Sequence, residues 1–383
     1  MPEPEAAPLL IIGAGLAAYT LAKELRKRDA EVPIRLVSAD DGSFYSKPML
    51  SNALSKGLAP EQLVSASAAK MAADFRLEIT PGQPVLELDL QARRVRTAGD
   101  EIAYHCLVLA VGAHPIALPL AGDGTEAVLT VNSLADYRRF HECLGAARRV
   151  AIIGPGLIGC EFANDLAVSG REVVVIGPDR EPLERLLPSR AGYRFRQALS
   201  AAGVRWRLGL TASAVQRVSR GCRLQLSDGS ALEADLVLSA VGLQPELTLA
   251  RQAGIHCARG IVVDSLLQTS VQGVYALGDC MEMNGRVLPF VMPIMHGARA
   301  LAATLLGHPT PLVYPPMPVV VKTPACPTVV APPPATDGQW QEEEDEGGVC
   351  ARYFDGSGRL QGFALVGAAV SERQALTRIL AAA

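Results

Sequence analysis

Two short glycine patterns constrain this chain more than any bulk property. Gly13-Ala14-Gly15-Leu16-Ala17-Ala18 follows the apolar run Leu9 to Ile12, and Gly154-Pro155-Gly156-Leu157-Ile158-Gly159 follows Val150 to Ile153. Each then leads into a helix-like stretch. In a strand–turn–helix context, the first glycine allows a tight turn and the second lets backbone approach a pyrophosphate. The third lets the helix pack on the strand, and the helix N-terminus offers N–H groups to the anion. One such match is a weak signal. Two, with Tyr275-Ala276-Leu277-Gly278-Asp279-Cys280 downstream, imply two dinucleotides held in adjacent folds, with electrons passing between them.

Bulk properties narrow the class. A chain of 383 residues has room for two or three cores. With 49% hydrophobic and 20% charged residues it is a compact globular protein. A net charge of −3 predicts no general affinity for nucleic acid or for anionic membranes. The apolar stretch around Leu301 to Leu306 lies between Arg299 and His308 and is too short to span a bilayer. The acidic start lacks the basic flank and apolar core of a secretory signal, so a cytoplasmic location is expected. The eight cysteines form no C-x-x-C pair, which argues against a redox dithiol or a zinc ribbon, and no metal site is expected. Cys280 reads as a small buried side chain.

Along the chain, Leu9 to Ile12, the glycine turn and Tyr19 to Arg28 form a β-turn-α unit. Ile34 to Ser38 is the second strand, Val85 to Thr97 a strand pair, and His105 to Val111 a buried strand before the chain crosses over. The organisation repeats with Val150 to Ile153, a helix over Gly159 to Ser169, and a strand over Glu172 to Ile176. A helix over Gly192 to Ala202 and a hairpin at Asp228-Gly229 follow, and Leu236 to Val241 ends the insert. A helix over roughly Ile294 to Leu306 closes the resumed first domain. Prolines at Pro315, Pro316, Pro318 and Pro332 to Pro334 suit edge strands and turns, predicting a small β-rich third domain. The charge run Glu342 to Gly348 reads as a solvated loop tip.

An acid about 20 residues beyond a glycine turn commonly holds a ribose hydroxyl. Asp40 and Asp179 stand at that distance, with an ordinary turn aspartate as the alternative for each. An acid is usual at the end of the second strand of an NADH-preferring fold. Here that slot is Gly177-Pro178, and Arg180 is nearby. Preference between NADH and NADPH stays open, with NADH favoured because no basic cluster marks a 2′-phosphate site.

These motifs together resemble the two-dinucleotide flavin reductases of the pyridine nucleotide-disulfide oxidoreductase superfamily. Gly13-Ala14-Gly15 matches their FAD turn, and Ala110-Val111-Gly112-Ala113 the crossover strand end. Thr269 with Gly278-Asp279 matches the flavin ribitol segment, and Val241-Gly242-Leu243-Gln244-Pro245 the exit from the NAD domain. The first 105 residues contain no cysteine, so reduced flavin has no protein thiol to unload onto. Within the superfamily the chain resembles the NAD(P)H:rubredoxin reductases. The matching stretches are Tyr45-Ser46-Lys47-Pro48-Met49-Leu50-Ser51, Gly159-Cys160-Glu161-Phe162-Ala163-Asn164-Asp165-Leu166 and Val321-Lys322-Thr323-Pro324-Ala325-Cys326-Pro327.

The resemblance implies an α/β fold of two Rossmann-like domains plus a small C-terminal β-rich α+β domain. The FAD domain would be split, 1–116 and 243–312, with the NAD(P)H domain 117–242 inserted and the third domain at 313–383. FAD would be held by Gly13, Ala14, Gly15, Leu16, Ala17, Ala39, Asp40, Lys47, Pro48, Val85, Ala110, Gly112, Asp279, Val291 and Lys322. NAD(P)H would be held by Gly154, Gly156, Leu157, Ile158, Gly159, Glu161, Asp179, Val241 and Gly242. Lys47 and Lys322 would serve the flavin and Glu161 the nicotinamide as catalytic residues. Their alternatives are surface lysines and a helix-start carboxylate.

The implied activity is hydride transfer to flavin N5, then two single-electron transfers to the rubredoxin iron centre, supplying an alkane hydroxylase or an oxygen-detoxifying system. Docking would be transient and steered by local basic residues, with a monomer favoured. The rival readings are a reductase of a [2Fe-2S] ferredoxin serving an oxygenase, and a flavin-binding sensor with little turnover.

Overall fold

The computed structural model describes residues 7–334 and 337–382; the acidic stretch before Ala7 lies outside the described residues. The chain divides into two compact units. The first runs through Ser46, then Val64–His114 and Leu243–Tyr314; the second holds Lys47–Leu63, Pro115–Gly242 and the chain from Pro315 onward.

In the first unit a parallel sheet has the spatial order Val274–Ala276, Cys106–Leu109, Leu9–Ile12, Ile34–Val37, Glu78–Thr80. Leu9–Ile12 is buried along its whole length, as expected for a central parallel strand covered on both faces. Helices Leu16–Arg28 and Val291–Leu305 pack together. The strands Val85–Asp89, Arg94–Thr97 and Glu101–Ala103 form a separate antiparallel sheet. Phe44–Tyr45 pairs antiparallel with Val64–Ala66, so the chain leaves this unit and re-enters it on neighbouring strands.

The second unit repeats the parallel arrangement in the order Val128–Leu129, Leu236–Ser239, Arg149–Ile153, Glu172–Gly177, Val204–Leu208. An antiparallel sheet follows, of Ala212–Arg217, Cys222–Leu226 and Ala231–Ala234. The C-terminal part is a five-stranded antiparallel sheet ordered Val319–Val321, Thr328–Ala331, Leu360–Gly367, Gly348–Asp355, Gly338–Asp345. Helix Arg373–Ala382 packs on it through Leu376.

Two features depart from the sequence reading. Glu342 to Asp345 is not a loop tip but the end of the edge strand Gly338–Asp345, paired residue by residue with Gly348–Asp355. Its charges suit an exposed sheet edge, and Glu342 accepts the N–H of Ala191 at 2.9 Å in the first turn of helix Ser189–Ala201. Lys47–Leu63, read as continuous with the first domain, clusters with the second unit.

Candidate functional site

In the first unit the glycine turn has the shape its spacing predicts. Gly13 adopts φ +118°, and a Cβ there would lie 2.4 Å from the Ala110 carbonyl oxygen, so only glycine fits. A Cβ on Gly15 would meet nothing within 4 Å. That open cradle borders a helix N-terminus whose cap, Gly15, makes no side-chain hydrogen bond, an arrangement suited to a phosphate. Gly278, at φ +90°, comes so close that its Cβ would stand 2.9 Å from that of Ala17. This brings the half-buried Asp279 beside the fingerprint helix.

Ser38 Oγ donates to Asp40 Oδ1 at 2.5 Å, and the Gly42 N–H donates to the same oxygen at 2.9 Å. Asp40 is thus an exposed turn residue at the strand end, next to exposed Ala39. Gln83 N–H donates to Ser38 O at 2.8 Å and leads the chain alongside into Val85. Gly112 is left-handed at φ +74°. Val291 opens the helix Val291–Leu305, exposed and without a side-chain cap.

The second turn is tighter. Gly154 adopts φ +114° with a Cβ position 2.5 Å from the Ala240 carbonyl oxygen, and Gly156 again faces open space. A Cβ on Gly159 would lie 1.9 Å from the Gly154 oxygen, so the third glycine is a packing requirement here. In the first turn Ala18 fills that place, fully buried. Leu157 is half-buried and Ile158 exposed on the first helical turn. Gly242, at φ +119°, accepts the Ile116 N–H at 3.1 Å, with half-buried Val241 before it. Asp179 is half-buried, and its carbonyl accepts the Gly209 N–H at 3.0 Å.

The same helix carries a feature that the spacing does not announce. Glu161, Asn164 and Asp165 are each 1% exposed. Glu161 Oε2 accepts Lys322 Nζ at 2.6 Å and Ser51 Oγ at 2.5 Å, while its Oε1 accepts the Lys322 backbone N–H at 3.0 Å. Lys322 Nζ also donates to Pro48 O at 2.6 Å and Ser51 Oγ at 3.2 Å. An ammonium has three N–H donors, and here they meet three acceptors. Asp165 accepts the N–H groups of Leu54 and Ser55 at 3.0 and 2.9 Å, and Asn164 Oδ1 accepts that of Ala325 at 3.1 Å.

Lys322, Glu161 and Pro48 are therefore gathered into one cluster, with Lys47 heading the short helix Lys47–Asn52 that supplies Pro48 and Ser51. Sequence reasoning missed Ser51, Asn164 and Asp165 as participants. The available signal was three polar residues at helical spacing on an otherwise apolar helix. Burial pushes the Cys160 thiol far up, with Glu161 and Asp179 adding to the shift, so this cysteine is an inert packing group. Among the described residues no group of His, Cys, Asp and Glu could hold a metal ion.

Two parallel sheets, each with a central strand ending in a glycine turn open toward a bare helix N-terminus, are the arrangement of a fold suited to two dinucleotides. The chain belongs to the pyridine nucleotide-disulphide oxidoreductase family, whose profile matches residues 7–302. A second profile, the rubredoxin binding C-terminal domain, matches residues 311–380. The chain is 46% identical to a rubredoxin-NAD(+) reductase of Acinetobacter baylyi, covering 97% of this chain and 98% of that one. It is 43% identical to a nitric oxide reductase FlRd-NAD(+) reductase of Aeromonas salmonicida, covering 97% and 96%. Among solved structures, a ferredoxin reductase from Rhodopseudomonas palustris matches at TM-score 0.86 and 28% identity over 94% of this chain and 91% of that one. A covalent putidaredoxin reductase–putidaredoxin complex matches at TM-score 0.90 and 24% identity over 98% and 93%.

Proposed function

We propose that this chain is an FAD-dependent reductase that carries electrons from a nicotinamide dinucleotide to rubredoxin. The observation that carries the reading is the rubredoxin-binding profile over residues 311–380, joined to full-length identity of 46% with a rubredoxin-NAD(+) reductase. The reductases of ferredoxin-type partners are more distant, at 28% and 24% identity, so the [2Fe-2S] reading fits less well. Two intact glycine turns argue against a sensor, which needs only one. The proposed domains are an FAD fold at 1–116 and 243–312, within which Lys47–Leu63 clusters with the second unit, an NAD(P)H fold at 117–242, and an acceptor-binding domain at 313–383.

Bound FAD would accept an electron pair from the nicotinamide and release electrons singly to a one-electron iron centre. The balance is one reduced nicotinamide and two oxidised rubredoxins giving the oxidised dinucleotide, two reduced rubredoxins and one proton. The Gly13–Ala17 turn, Ala110, Gly112 and Asp279 are the residues that would hold FAD in the first unit. Gly154, Gly156, Gly159, Val241 and Gly242 would hold the nicotinamide dinucleotide in the second. The uncapped N-terminus of helix Val291–Leu305 favours negative charge nearby. Glu161 and Lys322 neutralise each other, which keeps a buried charge from standing unpaired.

NADH is the favoured donor, because the stretch directly after strand Glu172–Gly177, Pro178 to Leu183, holds two acids, Asp179 and Glu181, against one basic residue, Arg180. Arg28, His296 and Arg299 line a cavity of about 250 Å³ together with Leu312 and Val313, in the first unit. The two guanidinium groups suit steering of an acidic rubredoxin, whereas burial, with Arg299 adding to it, pushes His296 below the ordinary histidine range. A monomer is the proposed state. Among the described residues no helix is long and apolar enough to cross a membrane.

The test is anaerobic turnover with NADH against oxidised rubredoxin and against a [2Fe-2S] ferredoxin. Faster reduction of rubredoxin is expected, and the reverse ranking would replace the proposal by the oxygenase reading. Flavin bleaching with transfer to neither would point to another acceptor. Steering predicts a rubredoxin rate that falls with ionic strength; a flat response removes it.

A further inference from the structure

The second glycine turn carries a proline, and that proline reaches the end of the neighbouring strand. Gly177 closes strand Glu172–Gly177, and a Cβ there would lie 2.1 Å from Cδ and 2.6 Å from Cγ of Pro155. Carbon atoms do not approach so closely. Gly177 is not among the left-handed glycines, so it is space rather than backbone conformation that demands glycine. Pro155 is itself fixed. Its carbonyl accepts the N–H of Leu183 at 2.9 Å and faces Cys160 Sγ at 3.3 Å. Leu183 is 2% exposed and left-handed at φ +59°, folding the loop after the strand back onto the turn.

The acid that commonly selects the ribose stands at about this distance beyond the turn. Pro155 bars one from position 177. Two residues further on, Asp179 is held in place by backbone bonds on either side. Leu210 N–H donates to Gly177 O, and Gly209 N–H donates to Asp179 O, both at 3.0 Å. Its charge is felt at Cys160 in the first turn of the fingerprint helix, after burial and Glu161. Arg180 follows at once, but its own N–H is taken by Glu184 at 3.1 Å.

We infer that Pro155 and Gly177 are an interlocked pair that moves nucleotide selection off the strand end and onto Asp179, which accepts the adenine-ribose hydroxyls of NADH and repels the 2′-phosphate of NADPH. The inference rests on the reading that the second turn holds the nicotinamide dinucleotide.

Calorimetric binding of ADP-ribose and of 2′-phospho-ADP-ribose to the holoenzyme tests it without turnover. Wild type is expected to prefer ADP-ribose. Asp179→Asn, nearly isosteric, is expected to cut that preference about tenfold by removing charge-assisted hydrogen bonds. An unchanged ratio, or a wild type that prefers the 2′-phosphate, overturns the assignment of Asp179. Binding of neither probe by wild type overturns the nucleotide-site reading and the inference with it. An error about the electron acceptor alone would leave these affinities as they are. The interlock is read separately from unfolding midpoints. Gly177→Ala is expected to lower the midpoint with Pro155 present and to have little effect in a Pro155→Gly background; equal losses in both overturn it.

Discussion

The helix behind the first glycine turn buries Ala18, Tyr19, Leu21, Ala22 and Leu25, whereas the helix behind the second buries Glu161, Asn164 and Asp165. Both begin at an uncapped glycine and both leave the same open cradle at the turn. The first also buries Thr20 and Glu24, which meet the side chains of Met295 and Lys27, but it packs largely through apolar groups. The second also works as a post: its three polar side chains accept backbone N–H groups from Leu54, Ser55, Lys322 and Ala325. Segments distant in sequence are fastened to the helix that the nucleotide turn opens. A shared fingerprint specifies how a phosphate is cradled, while the helix behind it is free to take on a second task.

The largest expected effect breaks the symmetry at the third fingerprint position. Gly159→Ala forces a Cβ into the backbone oxygen of Gly154 and should cost roughly 3 kcal/mol, read by denaturant unfolding, with nucleotide binding lost. A loss as small as that of Ala18→Gly would dissolve the distinction between the turns. Next, Glu161→Ala leaves Lys322 without its carboxylate. Removing one partner of a buried pair costs roughly 3–5 kcal/mol. Lys322 is about one-third exposed, so water recovers part of this and a loss of about 2 kcal/mol is expected. Lys322→Met in the same background should recover stability, and no recovery would argue against an unpaired charge as the cause.

A third contrast concerns acid. The first central strand begins with Leu9 N–H donating to the Pro33 carbonyl at 2.9 Å. Its counterpart begins with the Arg148 and Arg149 N–H groups donating to the Asp235 carboxylate at 2.9 and 3.0 Å. Burial raises the Asp235 pKa, but those amides and the Arg149 guanidinium outweigh it and bring it to about 2. A depressed carboxylate contributes stability that is complete above its unfolded pKa of about 3.9 and is lost as pH falls toward about 2. Asp235→Asn should therefore flatten the fall in stability between about pH 4 and pH 2, by up to about one bound proton in slope. Parallel curves for variant and wild type would contradict this. The smallest effect is Ala18→Gly, a loss of about 1 kcal/mol from helix propensity.

Much of the fold is readable locally. Leu9–Ile12 and Arg149–Ile153 are apolar runs before glycine turns, and the positive φ of Gly13 and Gly154 follows from that context. The pairing of Glu161 with Lys322 leaves no mark in periodicity, because it joins residues far apart in sequence. Lys47–Leu63 joins the second unit through the Leu54 and Ser55 N–H groups on Asp165 and through Pro48 and Ser51 at Lys322 and Glu161, which nothing in that segment's composition announces. The strand Gly338–Asp345 was masked by its own charges: an exposed edge strand tolerates the glutamates that also mark loops. At Gly177 the sequence displays the missing acid, but the reason for it, Pro155, is visible only in three dimensions.

The most direct test of the central claim is an anaerobic titration of rubredoxin reduction against NADH with catalytic amounts of the flavin-loaded protein. The account predicts two rubredoxins reduced for each NADH consumed, with the iron-centre colour lost in step with the nicotinamide absorbance. NADH consumed without loss of that colour would contradict it.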